Sequence, residues 1–468
     1  MWNKPWTMKE GFLIGAGLIT AGLMLELSVG PVVWDAFTWP VNGIVLAVFL
    51  TMIAAIYLLR KTVYAFRFMG SIQAAIPALV CAVALTIVMG LTRQTVNGLW
   101  IYNMLTFWPF VLIYVYMAVI MGLVVIRQLQ HPRWSLLLHL GLFITMTTAT
   151  LGSADMHRLK MITAIGEPEW RALDQQGAIR EMPLAIELKR FIMETYDDGS
   201  PRRYASDIQI LTKTGKNITT TIDVNKPADV DGWKIYQYGY DTQMGAHSNT
   251  SILELISDPW LPAVYTGIYM MLAGAVGLFL SGIRKKTAVN WNKRNVLLMT
   301  VLLMVAFVGV YFFMSSLRAK NLMPALQSPW FKPHVIAYIF AYSLLGAAAV
   351  IAVVGLFKRW SNTAQLYLAD GLVYVGLAFM TVGMLFGALW AKEAWGHYWS
   401  WDPKETWAAI TWFAYLVYIH YRHWPAHRPR LALGMLVVCF VLLQMCWWGI
   451  NYLPAAQGSS VHVYGSAA

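Results

Sequence analysis

Runs of about 20 mostly apolar residues, long enough to cross a bilayer as helices, recur along this chain and leave it few folds to choose from. They lie near 11–29, 38–59, 69–91, 107–126, 135–152, 261–283, 295–317, 334–357, 371–390, 405–421 and 431–452. Apolar residues make up 58% of the chain and charged residues 12%, and the mean hydropathy is +0.53. A water-soluble globule and a disordered chain are both excluded. The expected fold class is an all-α polytopic membrane protein of about 11 transmembrane helices with one β-rich extracytoplasmic domain. The first run carries Glu26 and no small-residue cleavage site precedes the next, so it reads as a span and not as a cleaved signal peptide.

Loop charges orient the spans. With the N-terminus inside, the inner segments carry 17 Lys/Arg and the short outer loops carry 6. The net charge of +12 is therefore a topology marker, and it needs no nucleic acid to explain it. Residues 153–260 break the pattern: 12 Lys/Arg face 16 Asp/Glu, and no run is long enough to span. This segment reads as a soluble domain on the outer face. "DIQILTKTGKNITTTIDV" alternates apolar and polar residues about Thr214-Gly215-Lys216, which predicts a hairpin, and "GWKIYQYGY" (232–240) predicts a further strand. The organisation expected is helices 1–5 over 1–152, the soluble domain over 153–260, helices 6–7 over 261–317 and a last region over 318–468. Cys81, Cys439 and Cys446 all lie in apolar runs and form no C-x-x-C, so a disulfide framework, a zinc ribbon and a thiol-redox motif are set aside.

Depth sorts the histidines. His139 enters the fifth span from the inner side, and His420 ends the tenth on that same side. His334 opens the eighth span at its outer end, and His462 lies on the outer tail. At 1.5 Å per residue the two levels stand roughly 20 Å apart, so one metal cannot serve both. An ionisable residue inside a bilayer is a functional candidate by default. Two histidines are few for zinc but enough for the axial positions of a haem iron. A hydrogen-bonded packing role is the ordinary alternative for each, and depth alone leaves both readings open. His397 reads as packing. His423, His427, His131 and His157 read as solvated or inert, with His423 the substitute for His420 if the tenth span runs longer. Cys439 and Cys446, seven apart on one helix face, read as packing.

Between the ninth and tenth spans lies "WAKEAWGHYWSWDPKETW" (390–407), with Trp390, Trp395, Trp399, Trp401 and Trp407. A membrane-interface belt accounts for one or two tryptophans. Five in one loop offer a broad aromatic surface for a flat, polarisable ligand. Lys404 can meet an acidic group of such a ligand, while Asp402 and Glu405 can orient neighbours or cap the helix that follows.

"WGHYWSWDPKETWAAITW" followed by "YIHYR" resembles the WWD signature of the haem-handling proteins of cytochrome c biogenesis, the CcsA, CcmF and CcmC types. "SPWFKPHVIAYIFAY" and "WWGINYLPAAQGSSVHVY" resemble the segments bearing that family's two outer histidines. "TIDVNKPADVDGWKIYQYGYD", the later "SDPW" and "SLLLHLGLFI" resemble ResB (CcsB) proteins. The chain thus resembles a ResB–CcsA fusion, the System II cytochrome c synthase.

That resemblance implies transport of haem b, the substrate, to the outer face and its attachment to the C-x-x-C-H thiols of apocytochrome c, a holocytochrome c synthase (haem lyase) activity. It implies His139 and His420 as the inner axial pair and His334 and His462 as the outer pair. Trp390, Trp395, Trp399, Trp401, Asp402, Lys404 and Trp407 would be the haem-contacting residues. No catalytic nucleophile on this chain is implied, because the thiols come from the substrate. Partners would be apocytochrome c, haem and thiol-reducing proteins, with no nucleic acid, and the site of action a bacterial inner membrane. The competing readings are a bis-histidine haem electron carrier, such as a quinol oxidoreductase subunit, and a haem exporter without ligase activity.

Overall fold

The computed structural model describes residues 2–130, 133–284, 293–319, 321–358 and 363–456. Five long helices precede the soluble domain: α1 (Met8–Val29), α2 (Val41–Leu59), α4 (Ile72–Leu91), α5 (Trp108–Leu129) and α6 (Trp134–Gly152), with a short α3 (Tyr64–Met69) between α2 and α4. Six follow it: α7 (Leu261–Arg284), α8 (Lys293–Ala319), α9 (Phe331–Phe357), α10 (Thr363–Trp395), α11 (Pro403–His423) and α12 (Pro429–Trp447). A long helix therefore stands at each of the eleven expected spans. Among the described residues, nine are long and apolar enough to cross a membrane. The described apolar part of α8 is shorter, Met304–Leu317. Helix α11 is the more polar one because protein surrounds it, and thirteen of its 21 residues are buried.

The soluble domain is one antiparallel sheet in the order β5-β4-β3-β2-β1-β8-β7-β6. Its strands are β1 (His157–Ala164), β2 (Pro168–Leu173), β3 (Ile179–Thr195), β4 (Pro201–Thr212), β5 (Asn217–Asp223), β6 (Ala228–Val230), β7 (Trp233–Tyr240) and β8 (Thr250–Ser257). The expected hairpin is β4–β5, and Gly215 at its turn has φ +81°, where a side chain is strained. Alternation puts Met161, Ile186, Leu188, Ile208, Ile210, Ile222, Ile235, Leu253 and Leu255 into one fully buried core. First and last strands pair from His157↔Ser257 to Ala164↔Thr250, so the chain leaves and re-enters the membrane region at adjacent points. Directly below, α6 and α7 meet closely: a Cβ on Gly141 would lie 2.6 Å from the Gly267 carbonyl oxygen.

The sheet does not stand apart from the helices. Tyr196 OH donates to the Leu322 carbonyl (3.1 Å), Asn321 donates to Asp198 (2.8 Å), and Asn225 donates to the Pro324 carbonyl (2.7 Å). The α8–α9 connection is thereby bound to the sheet, on the same side as the end of α10 and the start of α11. At the opposite end, Arg422 of α11 makes a two-pronged ion pair with Asp370 of α10 at 2.6–3.1 Å, and Tyr418 OH donates to the same carboxylate at 2.7 Å. Charges are costly in an apolar bundle unless paired, so this cluster ties the ends of α10 and α11 remote from the sheet.

Candidate functional site

Helix α10 runs to Trp395, beyond the expected end of its span. Ala391, Lys392, Glu393 and Ala394 are good helix formers, and Gly396, at φ +76°, ends the helix in the left-handed conformation. A Cβ on Gly396 would lie 2.2 Å from Ile256 Cδ1 and 3.1 Å from the Tyr236 ring. Only glycine lets the loop approach β7 and β8 so closely. Lys392, 2% exposed, donates to the Gly396 carbonyl at 2.9 Å, and its Nζ lies 3.9 Å from Asp258, which follows β8. Burial pushes the Asp258 carboxyl up from its usual range, opposed in part by the Lys392 ammonium. Ser328 donates to Glu393 at 2.6 Å, and together these contacts hold the end of α10 against the sheet.

The tryptophans divide by position. Trp390 (2% exposed) and Trp407 (3%) are interior. Their indole N–H groups donate to the Ala325 carbonyl (2.8 Å) and the Gly90 carbonyl (3.2 Å), so they anchor the loop at both ends. Trp395, Trp399 and Trp401 are half-buried between those anchors. Trp395 stacks near His397 at 6.4 Å, and Trp399 meets Trp401 edge-on at 5.7 Å. Trp401 also meets Phe110 of α5 edge-on at 6.4 Å. It holds φ +57°, an unusual strain for a bulky residue and one that tends to mark functional loops. Asp402 and Glu405 form a capping box on α11: Asp402 accepts from the Glu405 N–H at 2.8 Å, and Glu405 accepts from the Asp402 N–H at 3.3 Å. Lys404 sits in the first turn of that helix, half-buried.

His334 lies on the first turn of α9, beside this loop. Its Nδ1 is 2.8 Å from the Gly383 carbonyl, and its ring lies 5.7 Å from the Trp390 ring and 5.0 Å from the Tyr338 ring. The seat is cut into α10 by Gly383-x-x-x-Gly387. A Cβ on Gly387 would lie 2.7 Å from His334 Nδ1, and one on Gly383 would lie 3.0 Å from Tyr338. Sequence reasoning missed this seat. Small residues four apart in an apolar helix were the available signal. It also missed the Asp370–Arg422–Tyr418 cluster, which Asp370 near the start of a span could have announced. His462 and His131 lie outside the described residues.

His139, near the start of α6, and His420, near the end of α11, both lie toward the helix ends remote from the sheet. His139 Nδ1 is 2.7 Å from the Ser135 carbonyl, with the Gln128 amide at 3.4 Å, and His420 Nδ1 is 2.8 Å from the Leu416 carbonyl. A carbonyl only accepts, so in His139, His420 and His334 alike Nδ1 carries the proton and the lone pair is at Nε2. That is the arrangement in which a second hydrogen bond fixes the ring of a metal-ligating histidine. His423 and His427 make the same kind of bond, so the tautomer does not single out the three. Position does: His423 is exposed, on the rim beyond His420. Among the described residues no group of three or more His, Cys, Asp and Glu could hold a metal ion.

Two family models match the chain. Residues 133–254 match the ResB-like family, which takes in α6 and most of the sheet. Residues 264–456 match the cytochrome C assembly protein family, which takes in α7 to α12 and the tryptophan loop. Among curated relatives, the cytochrome c biogenesis protein CcsA of Chlamydomonas reinhardtii is 38% identical over 180 residues, 35% of this chain and 48% of that protein. CcsA of Guillardia theta is 36% identical over 183 residues, 32% of this chain and 58% of that protein. CcsA of Prochlorococcus marinus (strain MIT 9312) is 32% identical over 184 residues, 31% and 57% respectively. The chain thus spans between about half and three fifths of the length of these relatives. A ResB-like segment thus runs into a CcsA-type assembly segment in a single polypeptide, which is consistent with a ResB–CcsA fusion.

Proposed function

We propose that this protein matures cytochromes c: it carries haem from the inner to the outer face of a bacterial cytoplasmic membrane and joins it there to apocytochrome c. The relatives' shared role in cytochrome c biogenesis supports the general reading. His139 and His420 are the axial pair that receives haem on the inner side, and His334 with His462 is the pair that holds it on the outer side. The observation that carries the proposal is the seat of His334: a ring fixed by α10, facing Trp390, at the edge of a tryptophan loop anchored to the sheet.

Each thiol of a C-x-x-C-H segment adds across a haem vinyl group. The S–H bond breaks, a C–S bond forms at one vinyl carbon, and hydrogen goes to the other, with no net change in oxidation. The chain's own task is to ligate, orient and shield. Two histidine ligands leave no iron position open to small oxidants, and the substrate's histidine can replace one of them for release. Trp395, Trp399 and Trp401 supply ring surface for the porphyrin, and Lys404 supplies charge for a propionate. A thiol-reducing partner would keep the substrate cysteines reduced.

The ligand assignments are tested on purified variants. His139→Ala or His420→Ala should deplete co-purifying haem, with partial recovery on added imidazole. His334→Ala should alter the absorption spectrum of the outer haem. Unchanged haem content and spectrum in all three would overturn the assignment.

A further inference from the structure

A groove of about 740 Å³ opens at the outer rim of the helices, beneath the sheet, and none of the residues lining it belongs to the tryptophan loop. It lies where three spans end or begin: Thr38 and Trp39 precede α2, Asp155 and His157 follow α6, and Trp260 precedes α7. That is the level of phospholipid headgroups. Asp155 sits at its base and accepts from the Trp39 backbone N–H, the Asn42 amide and the Trp260 indole, each at 2.7 Å. These donors are all neutral, and among the described residues no Lys or Arg pairs with Asp155 or lines the groove. His157 is the only side chain in the described lining able to carry a positive charge beside that carboxylate.

The walls are aromatic. Trp39 is 70% exposed yet fixed, because its ring lies over Gly43, where a Cβ would come 2.7 Å from Cζ3. Trp260 lies over Gly152 in the same way, with a Cβ there 2.5 Å from its side chain. Two indoles and a carboxylate lining one groove are groups that suit an organic cation, since an ammonium is attracted to both ring faces and negative charge. The lining also includes His157, its ring 6.5 Å from the Trp233 ring, and the hydroxyl-bearing Thr38 and Ser257. These are donors suited to a phosphate.

We infer that this groove binds the headgroup of a zwitterionic, ammonium-bearing membrane phospholipid such as phosphatidylethanolamine, with the ammonium between Trp39, Trp260 and Asp155 and the phosphate toward His157, Thr38 and Ser257. An anionic lipid without an ammonium would bring its charge toward the Asp155 carboxylate with nothing to pair with it and is disfavoured. The inference is independent of haem chemistry.

The test uses the full-length protein in nanodiscs of equal parts phosphatidylethanolamine and phosphatidylglycerol, stripped in detergent and weighed by native mass spectrometry. Wild type should retain one phosphatidylethanolamine in preference to phosphatidylglycerol. Trp39→Ala should lower that retention by roughly tenfold, the scale of a lost cation–π contact. Trp39→Phe should keep most of it, and Ile44→Ala, on the exposed surface of α2, should keep it all. Asp155→Asn should erase the preference between the two lipids. Equal retention of both lipids by wild type, or full retention by Trp39→Ala, would overturn the proposal.

Discussion

Substituting Gly387 by alanine strikes His334 without touching it chemically. The added Cβ would lie 2.7 Å from Nδ1 and 2.8 Å from Cε1, roughly 0.7 Å short of the 3.4 Å at which ordinary contact begins. The neighbour that must yield is the imidazole ring, which would lose its 2.8 Å bond to the Gly383 carbonyl. That bond is worth about 1 kcal/mol net, and crowding adds about 1–3 kcal/mol. Alanine returns up to about 1 kcal/mol of helix propensity, so the protein should remain folded and melt within several degrees of wild type. Ligation should suffer more, because losing the group that orients a ligating histidine weakens metal binding by about 10- to 100-fold. Haem titration of the purified protein in a His139→Ala background isolates the outer site. Gly371→Ala, in the same helix with nothing within 4 Å of its Cβ, is the control and should titrate normally. Wild-type affinity in Gly387→Ala, or an equal loss in Gly371→Ala, would refute the reasoning.

Three further outcomes follow from the loop and the sheet. Asp402→Ala removes half of the capping box on α11 and should cost about 1 kcal/mol of stability, against a smaller loss for Asp402→Asn, read by thermal unfolding. Trp401 holds φ +57°, so Trp401→Ala should be less stable than Trp401→Gly by up to about 1 kcal/mol; the reverse order would contradict the strain. Asp198 is held below its ordinary 3.8 by the Ser200 hydroxyl, the Ser200 N–H and the Asn321 amide. A depressed carboxyl stabilises the folded contact above pH 3.8 and loses that contribution as pH falls through its lower folded value. Hydrogen exchange in residues 321–328, corrected for intrinsic rates, should therefore accelerate on acidification below about pH 4, and Asp198→Asn should remove that dependence.

The spans were legible because an apolar run of helical length has few other fates, and their order put His139 and His420 toward the helix ends remote from the sheet and His334 at an end beside it. Helix α11 shows how this works and where it ends. Its start was announced by Asp402-Pro403-Lys404-Glu405, but its burial by neighbours, which tolerates Thr406, Thr411 and Tyr418 inside the bundle, comes only from tertiary packing. The β4–β5 hairpin was readable from alternation around a glycine turn. Strands β1 and β8 were not, because their pairing joins segments about 90 residues apart and no local pattern reports that. Within the loop, sequence ranked five tryptophans alike. The structure separates Trp390 and Trp407, spent on anchoring, from the three between them, and this difference depends on the Ala325 and Gly90 carbonyls that meet their indoles. Gly383 and Gly387 were readable in principle, since a small-x-x-x-small pattern marks close helix contact, but the pattern says nothing of the histidine it seats.

The central claim is that this chain joins haem to a cytochrome, and covalent product tests it most directly. The protein should be co-expressed with a C-x-x-C-H apocytochrome in a host lacking its own maturation system, and the cytochrome assayed for haem that survives denaturation and acid–organic extraction. The account predicts covalently haem-bound cytochrome with the wild-type chain and loss of it with His334→Ala. A folded, haem-loaded protein that yields no covalent product would contradict it.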